Sequence, residues 1–226
     1  LFNFLNHTEI DGREFRKSSR DRFAFSGVSA STDLVYFDDA DPNFDLKRLG
    51  KAAATFDMVK LGYINGQHLK GLSSKEILPL LDTFLPKDTI FKNQELSWKE
   101  EFVDLFKEKV DTIPGFLSFL DDIFSPEVKD DDSFKEVLSW ETTPKIKEYL
   151  IGKVNEAKKE ELPFLTPELM DEYLTTLKKE YKIKGKNLFK GTRAVLTGRA
   201  EGPDLKRFVA LTPLDVISSR LQKIEG

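Results

Sequence analysis

The sequence contains no cysteine and only two histidines, His7 and His68, among its 226 residues. Without thiols the chain has neither a disulfide framework nor a thiolate metal site, and two histidines argue against a histidine-based zinc site or catalytic triad. No apolar run approaches the roughly 18 residues that a membrane span needs, and no phosphate-binding glycine loop is present. We therefore expect no metal site, no membrane contact and no catalytic residue of these classes.

A positive net charge is concentrated at the end of the chain. Residues 181–226 carry ten Lys and Arg against four Asp and Glu, a net charge of +6, whereas the whole chain has a net charge of −4. A cationic end on an anionic body predicts a local contact with a polyanion. Each basic side chain alone is explained as well by a solvated surface, but the group favours phosphate contacts. The predicted phosphate contacts are Lys182, Lys184, Lys186, Lys190 and Arg199.

Apolar residues recur at helical spacing through the last four fifths of the sequence, behind residues that typically start helices. These start signals are Ser73-x-x-Glu76, Ser97-x-x-Glu100, Pro114, Thr143-Pro144, Thr166-Pro167 and Thr212-Pro213. The pattern predicts an all-α fold in which helices pack on helices. Residues 23–25 and 34–37 are the exception, since they could pair as a small β-hairpin near the N-terminus.

Two motifs stand in order along the chain. The first runs from Asp45 to Asp57 and continues from Lys60 to Lys70 through Asn65-Gly66. The second is Arg193-Ala194-x-Leu196-Thr197-Gly198, followed by Gly202-Pro203-x-Leu205. Together they resemble the anticodon-binding half of bacterial-type glutamyl-tRNA synthetases. The resemblance covers the chain from about Asp45 to the C-terminus, and Leu1–Leu5 also resembles the piece that follows the catalytic half of that family.

The resemblance implies three regions and a function. Residues 1–87 would form a helical stem-contact region with an atypical insertion at about 11–44, and 88–152 and 153–226 would form two anticodon-binding helical subdomains. The chain starts in mid-pattern without an initiator Met, so we expect a piece of a longer glutamate–tRNA ligase. That enzyme would aminoacylate tRNA(Glu) with ATP and magnesium, whereas this piece would bind tRNA, hold no cofactor and be inactive alone. We expect a monomer in the cytoplasm, or alternatively in the matrix of a mitochondrion or plastid.

The resemblance also implies which residues contact tRNA. Arg193 would read an anticodon base with its planar, bidentate guanidinium. Gly202, Pro203 and Leu205 would form a turn whose N–H groups and apolar side chain hold an unstacked base. A surface ion pair for Arg193 and a core position for Leu205 are the alternatives, and Asp204 is unfavourable near phosphates. The remaining predicted contacts are Thr197, Asn65, Lys70, Lys186, Lys190 and Arg199.

Lys70 leaves the specificity of the protein open. It follows Asn65-Gly66, which we predict to be a turn with Gly66 at positive φ. The family often has arginine at the position of Lys70, and lysine lacks the bidentate fork, so a synthetase that charges both tRNA(Glu) and tRNA(Gln) is an alternative. A non-catalytic helical module whose basic end binds an acidic protein is another.

The adenylate-handling motifs of such synthetases are missing from the sequence. No His-x-Gly-His run occurs. The run Lys17-Ser18-Ser19-Arg20 superficially resembles the second motif, a Lys-Met-Ser-Lys loop, but it follows Leu1–Leu5 where the family's loop precedes the equivalent segment. We therefore predict no catalytic residue in this chain.

Overall fold

The structure is a computed structural model that describes residues 22–23, 35–36, 58–86 and 89–224. Over these ranges it contains ten α-helices and one pair of two-residue strands, which confirms the predicted all-α class. Strands β1 (Arg22–Phe23) and β2 (Val35–Tyr36) pair antiparallel at the position of the predicted hairpin. The rest of the 11–44 insertion, which includes Lys17–Arg20, and the first motif up to Asp57 lie outside the described residues.

The chain divides into two compact units. The first comprises residues 1–84 and 107–115. Its described part contains α1 (Met58–Gly71), α2 (Ser74–Asp82) and two 3₁₀ turns at 107–109 and 113–115. The predicted capping box before α2 is confirmed, because the backbone N–H and the hydroxyl of Ser73 donate to Glu76 Oε2 at 2.9 and 2.7 Å.

The predicted turn at Asn65-Gly66 is wrong. Both residues lie inside α1, and Gly66 is not among the glycines with positive φ. A Cβ at Gly66 would collide with Asp111 Oδ1 and lie 3.3 Å from the Asp111 Cα. The Asn65 side-chain amide donates to the backbone carbonyl of Asp111. The pair therefore lets α1 pack closely against the segment that contains Asp111, and glycine serves there because it has no side chain.

The second unit comprises residues 85–106 and 116–226. Its helices are α3 (Leu96–Phe106), α4 (Phe116–Phe124), α5 (Asp132–Leu138), α6 (Thr143–Lys159), α7 (Pro167–Lys179), α8 (Gly185–Thr197), α9 (Leu205–Leu211) and α10 (Leu214–Lys223). Helix α8 is central, since it packs against α5, α6, α7, α9 and α10. This position buries most of α8 and leaves one side of it for function.

Two apolar clusters hold the second unit together. Aromatic rings fill the first, where Trp98 stacks on Phe102 with ring centroids 5.7 Å apart. The indole N–H of Trp98 donates to the carbonyl of Leu211 at 3.1 Å and so ties α3 to the end of α9. The second cluster lies between α6, α7, α8, α9 and α10, around buried residues such as Ile146, Leu174, Val195 and Ile217. The second cluster contains Leu188, Val195 and Leu196 of α8 and so fixes which side of α8 is exposed.

The predicted start signals of the later helices agree with the structure. Thr166 caps α7 by accepting from the N–H of Leu169, and Pro167 occupies the first turn. Pro213 immediately precedes α10. The predicted subdomains at 88–152 and 153–226 stay a prediction; α6 runs without a break through residue 152. In the described ranges, the helices all fall short of the length and apolarity needed to cross a bilayer.

Candidate nucleic-acid interface

Helix α8 carries most of the predicted contact residues on its exposed side. It starts at Gly185, which has φ +58°, and ends before Gly198, a left-handed C-cap with φ +68°. Sequence analysis left this stretch open as helix or loop. Because it is a helix, residues three or four apart share a side. The side that faces away from the core contains Lys186, Phe189, Lys190 and Arg193.

Arg193 is half-buried near the C-terminal end of α8. Its guanidinium makes no ion pair or hydrogen bond with any residue that the structure describes. Burial lowers the pKa of Arg193 from its usual value, and the negative charges of Asp204 and Glu201 oppose that shift. The side chain is therefore charged, partly dehydrated and available as a donor. The surface ion pair that sequence analysis considered as the alternative does not form in this part of the chain.

Gly202 lies against the Arg193 guanidinium. A Cβ at Gly202 would stand 3.0 Å from Arg193 Nη1, a spacing that the arginine must relieve by moving. The structure thus brings together two residues that are nine positions apart in the second sequence motif. Any side chain at position 202 would therefore press on the Arg193 guanidinium.

The loop from Gly198 to Asp204 is anchored at both ends. The Gly198 carbonyl accepts from the N–H of Lys129 at 2.9 Å. Asp204 caps α9, because its carboxylate accepts from the N–H of Arg207 at 3.0 Å. Asp204 is expected to be unfavourable near phosphates, and in the structure its carboxylate serves to cap α9. These anchors hold Gly202 beside α8 without requiring a ligand.

Two of the predicted contacts point inward, and a third is held in an ion pair. Leu205 is 6% exposed and belongs to the core cluster, which was the alternative considered for it. Thr197 is 2% exposed, and its hydroxyl donates to the Arg193 carbonyl at 2.8 Å. Arg199 forms an ion pair with Asp122. Their direct contact with RNA stays a prediction; in this structure they shape the loop and the end of α8.

The four lysines among the predicted phosphate contacts fall into two groups. Lys186 lies 3.5 Å from Glu136 and over the ring of Trp140, and Lys190 lies 3.1 Å from Glu201. Lys182 and Lys184 have no ion pair within the described ranges. Exposed pairs of this kind are worth little, so an incoming phosphate can displace them. Two cations are therefore free for phosphate, and two more become available by exchange.

Sequence analysis missed a buried arginine below the loop. Arg220 on α10 is 1% exposed and donates to the carbonyl of Ser125 at 3.1 Å from Nε and 2.7 Å from Nη2. It also donates to the carbonyls of Asp122 and Ile123 at the end of α4. Burial and the nearby Arg199 lower the pKa of Arg220 to about 10, so it stays charged at neutral pH. The apolar spacing of α10 in the sequence gave no signal for a buried charge.

Asn65 and Lys70 belong to the first unit. Asn65 is engaged with Asp111, as described above, and Lys70 lies 3.9 Å from Glu108 near the end of α1. Their roles toward RNA stay predictions. Lysine at position 70 keeps the question of base discrimination open.

Comparison with known proteins decides the family. A family model described as an anticodon binding domain matches residues 75–225, which is two thirds of the chain. The chain belongs to this anticodon-binding domain family. The matched residues contain every helix of the second unit and therefore the whole of the α8 surface.

The relatives of this anticodon-binding domain are glutamate–tRNA ligases. The chain is 33% identical to glutamate–tRNA ligase 1 of Caldicellulosiruptor saccharolyticus and 30% identical to the glutamate–tRNA ligase of Bacillus subtilis, in both cases over 80% of this chain and 37% of the relative. A crystal structure of the glutamate tRNA ligase from Elizabethkingia meningosepticum aligns with a TM-score of 0.67 and 22% identity, over 87% of this chain and 38% of that one. The last likeness shows a shared fold. The chain spans little more than a third of the length of its curated relatives.

The glycine that ends α8 is required by the anticodon-binding domain's loop. We expect Gly198→Ala to lower the free energy of unfolding by more than the roughly 1–2 kcal/mol that a left-handed conformation costs other residues. Its Cβ would also lie 2.9 Å from Val128 Cγ1 and 3.1 Å from the Val128 Cα, so backbone must move. Urea denaturation measures the change.

Gly185→Ala is the matched control for Gly198→Ala. Gly185 has φ +58°, and a Cβ there meets nothing within 4 Å. The control therefore keeps the backbone strain and omits the collision. Equal losses of stability in the two variants would show that the close approach to Val128 contributes nothing.

Proposed function

We propose that this chain binds the anticodon arm of a tRNA, as the anticodon-recognition part of a glutamate–tRNA ligase. The substrate we propose is tRNA(Glu), with tRNA(Gln) as an additional one in a synthetase that charges both. The family and the relatives support this proposal. ATP and magnesium, which the ligase reaction requires, are assigned to no residue of this chain. We also propose a monomer located in the cytoplasm, with an organellar matrix as the alternative compartment.

The observation that carries the proposal is the state of Arg193. A guanidinium that is half-buried, charged and without an ion pair among described residues has lost part of its hydration and gained no partner. Some nucleobase edges, such as the O6/N7 edge of guanine, supply two acceptors in the plane of the fork, and such an edge is a partner that Arg193 lacks among the described residues. Glycine at position 202 keeps a side chain from pressing on that guanidinium.

Phosphate contacts by the lysines around α8 supply the nonspecific part of binding. Lys182 and Lys184 are free to contact phosphate, whereas Lys186 and Lys190 must first leave Glu136 and Glu201. The number of such contacts can be measured from the way affinity falls with salt concentration, because each contact releases condensed counterions.

We expect binding of a tRNA(Glu) anticodon stem-loop to weaken with salt by an amount that reveals how many lysines engage. Two phosphate contacts on a single-stranded loop predict about a sevenfold loss between 50 and 200 mM salt, and four predict about fiftyfold. Fluorescence anisotropy of a labelled stem-loop RNA measures the loss. Lys182→Ala is expected to reduce the slope by about one contact.

Two controls separate this proposal from a protein-interaction module. A stem-loop with the same stem and a scrambled loop reports the nonspecific part alone. An acidic protein with the same net charge as the stem-loop tests the alternative, a module that binds acidic proteins. Affinity for the acidic protein that matches or exceeds affinity for the stem-loop would overturn the proposed function.

A further inference from the structure

Phe189 is a large apolar side chain that the fold does not use. It is 56% exposed on α8, whereas Leu188 beside it is 3% exposed and belongs to the core. The ring makes no aromatic contact with any residue in the described ranges. A single exposed phenylalanine is common on protein surfaces and by itself indicates nothing. The positive charge of the residues around Phe189 indicates a role for it.

The residues beside Phe189 on α8 are cationic. Lys186 stands one turn before it, Lys190 follows it, and Arg193 stands one turn after it. Residues four apart on a helix have Cβ atoms about 5–6 Å from each other, so the ring and the Arg193 guanidinium share one patch of surface. A flat apolar face among positive charges suits a ligand that is flat, apolar on its faces and negatively charged at its edges. An unpaired nucleotide has these properties.

The other aromatic ring near this side of α8 is already covered. The Lys186 ammonium lies 5.1 Å from the centroid of the Trp140 ring, and Trp140 packs against the small cluster around Phe134 and Ala194. The Trp140 ring is therefore covered by the Lys186 ammonium and by apolar residues of that cluster. Phe189, by contrast, has no aromatic or cationic group over its ring among the residues that the structure describes.

We propose that Phe189 is a stacking platform for an unpaired base of the RNA loop, next to the base whose edge Arg193 contacts. The inference rests on the proposed function and adds a residue to it. Arg193 contributes sequence discrimination, because its fork matches particular base edges. Phe189 contributes affinity that depends little on sequence, because every base has a π-face.

The experiment uses a tRNA(Glu) anticodon stem-loop in which one loop base is replaced by 2-aminopurine, whose fluorescence changes when its stacking changes. The wild-type chain is expected to bind and to change the fluorescence. Phe189→Leu keeps an apolar side chain and removes the flat ring, so we expect about tenfold weaker binding and loss of the fluorescence change at the stacked position. Phe189→Trp is expected to restore both. The loss in Phe189→Leu should be the same for loops of different sequence.

Leu96→Ala is the matched control, since Leu96 is 59% exposed in the same unit, on α3, and its removal tests a general loss of apolar surface. This variant is expected to bind as the wild type does. Unchanged affinity and fluorescence in Phe189→Leu, while the wild type binds the RNA, would overturn the platform and leave the proposed function intact. Failure of the wild type to bind the stem-loop would overturn the proposed function and the platform with it.

Discussion

Replacing Arg193 with alanine is expected to weaken binding of the native anticodon stem-loop by about 1–3 kcal/mol and to weaken binding of an altered anticodon much less. The guanidinium is the one group on the exposed side of α8 with a planar pair of donors, and it makes no ion pair within the described residues. Its loss removes base recognition and leaves the lysines in place. Anisotropy titrations of both RNAs at one salt concentration measure the two losses.

Two variants control for charge and for position. Lys190→Ala removes a cation one turn earlier on α8, and we expect a smaller loss that is alike for both anticodons, because an ammonium acts as a point charge on phosphate. Arg193→Lys keeps the charge without the fork and should retain phosphate contact while losing the preference for the native loop. Equal weakening of both RNAs by Arg193→Ala would show that Arg193 does not read a base. No weakening would show that its role is to pack against Gly202.

The fold could be predicted because its helices follow local rules. Ser73, Thr166 and Pro213 mark helix starts through hydrogen bonds and backbone angles that act within four residues. The prediction failed at Asn65-Gly66, where the usual turn preference of the pair competes with tertiary packing. The close approach of Asp111, 45 residues further along the chain from Gly66, decides the conformation there. A rule based on neighbouring residues cannot include that contact.

The candidate site could be predicted in part, for a similar reason. Sequence motifs supplied Arg193 and Gly202, and the structure places them in contact. They did not show that Thr197 and Leu205 point into the protein, because that depends on the phase of α8 and on the start of α9. Phe189 escaped notice because it reads as one more core phenylalanine in a chain with nineteen of them. Only its exposure distinguishes it.

Arg220 is the residue whose loss we expect to cost the most stability. Its guanidinium donates to the carbonyls of Asp122 and Ile123 in the last turn of α4 and to the carbonyl of Ser125 just after it. The carbonyls in the last turn of a helix have no partner within the helix. The positive charge also lies at the end of α4 where the helix dipole is negative. Arg199, which pairs with Asp122 and continues the loop toward Gly202, lies near enough to influence the pKa of Arg220. The group therefore links α10, α4 and, through Asp122 and Arg199, the start of the loop from Gly198 to Asp204.

Several properties of Arg220 oppose its contribution to stability. The charge is buried, Nη1 has no partner among the described residues, and Arg199 repels it. Replacing a whole buried ion pair by apolar residues is often neutral or stabilising. Here, however, the partners are backbone carbonyls, which no side-chain substitution removes. Each buried carbonyl that loses its donor costs about 1–3 kcal/mol of stability. Because Arg220 donates to several carbonyls, this cost exceeds the stability gained by no longer burying a charge.

We expect Arg220→Leu to lower the free energy of unfolding by about 3 kcal/mol, because a leucine fills the apolar volume and leaves the carbonyls of α4 unpaired. Urea denaturation measures the change, and Lys223→Ala on the same helix is the control. Lys223 forms an exposed pair with Glu127, so its loss should cost less than about 1 kcal/mol. The variant should also weaken stem-loop binding under conditions where it is still folded, because Asp122 and Arg199 lose the frame that fixes the loop beside Arg193. A variant as stable as the wild type would show that water reaches these carbonyls and that α4 does not depend on Arg220.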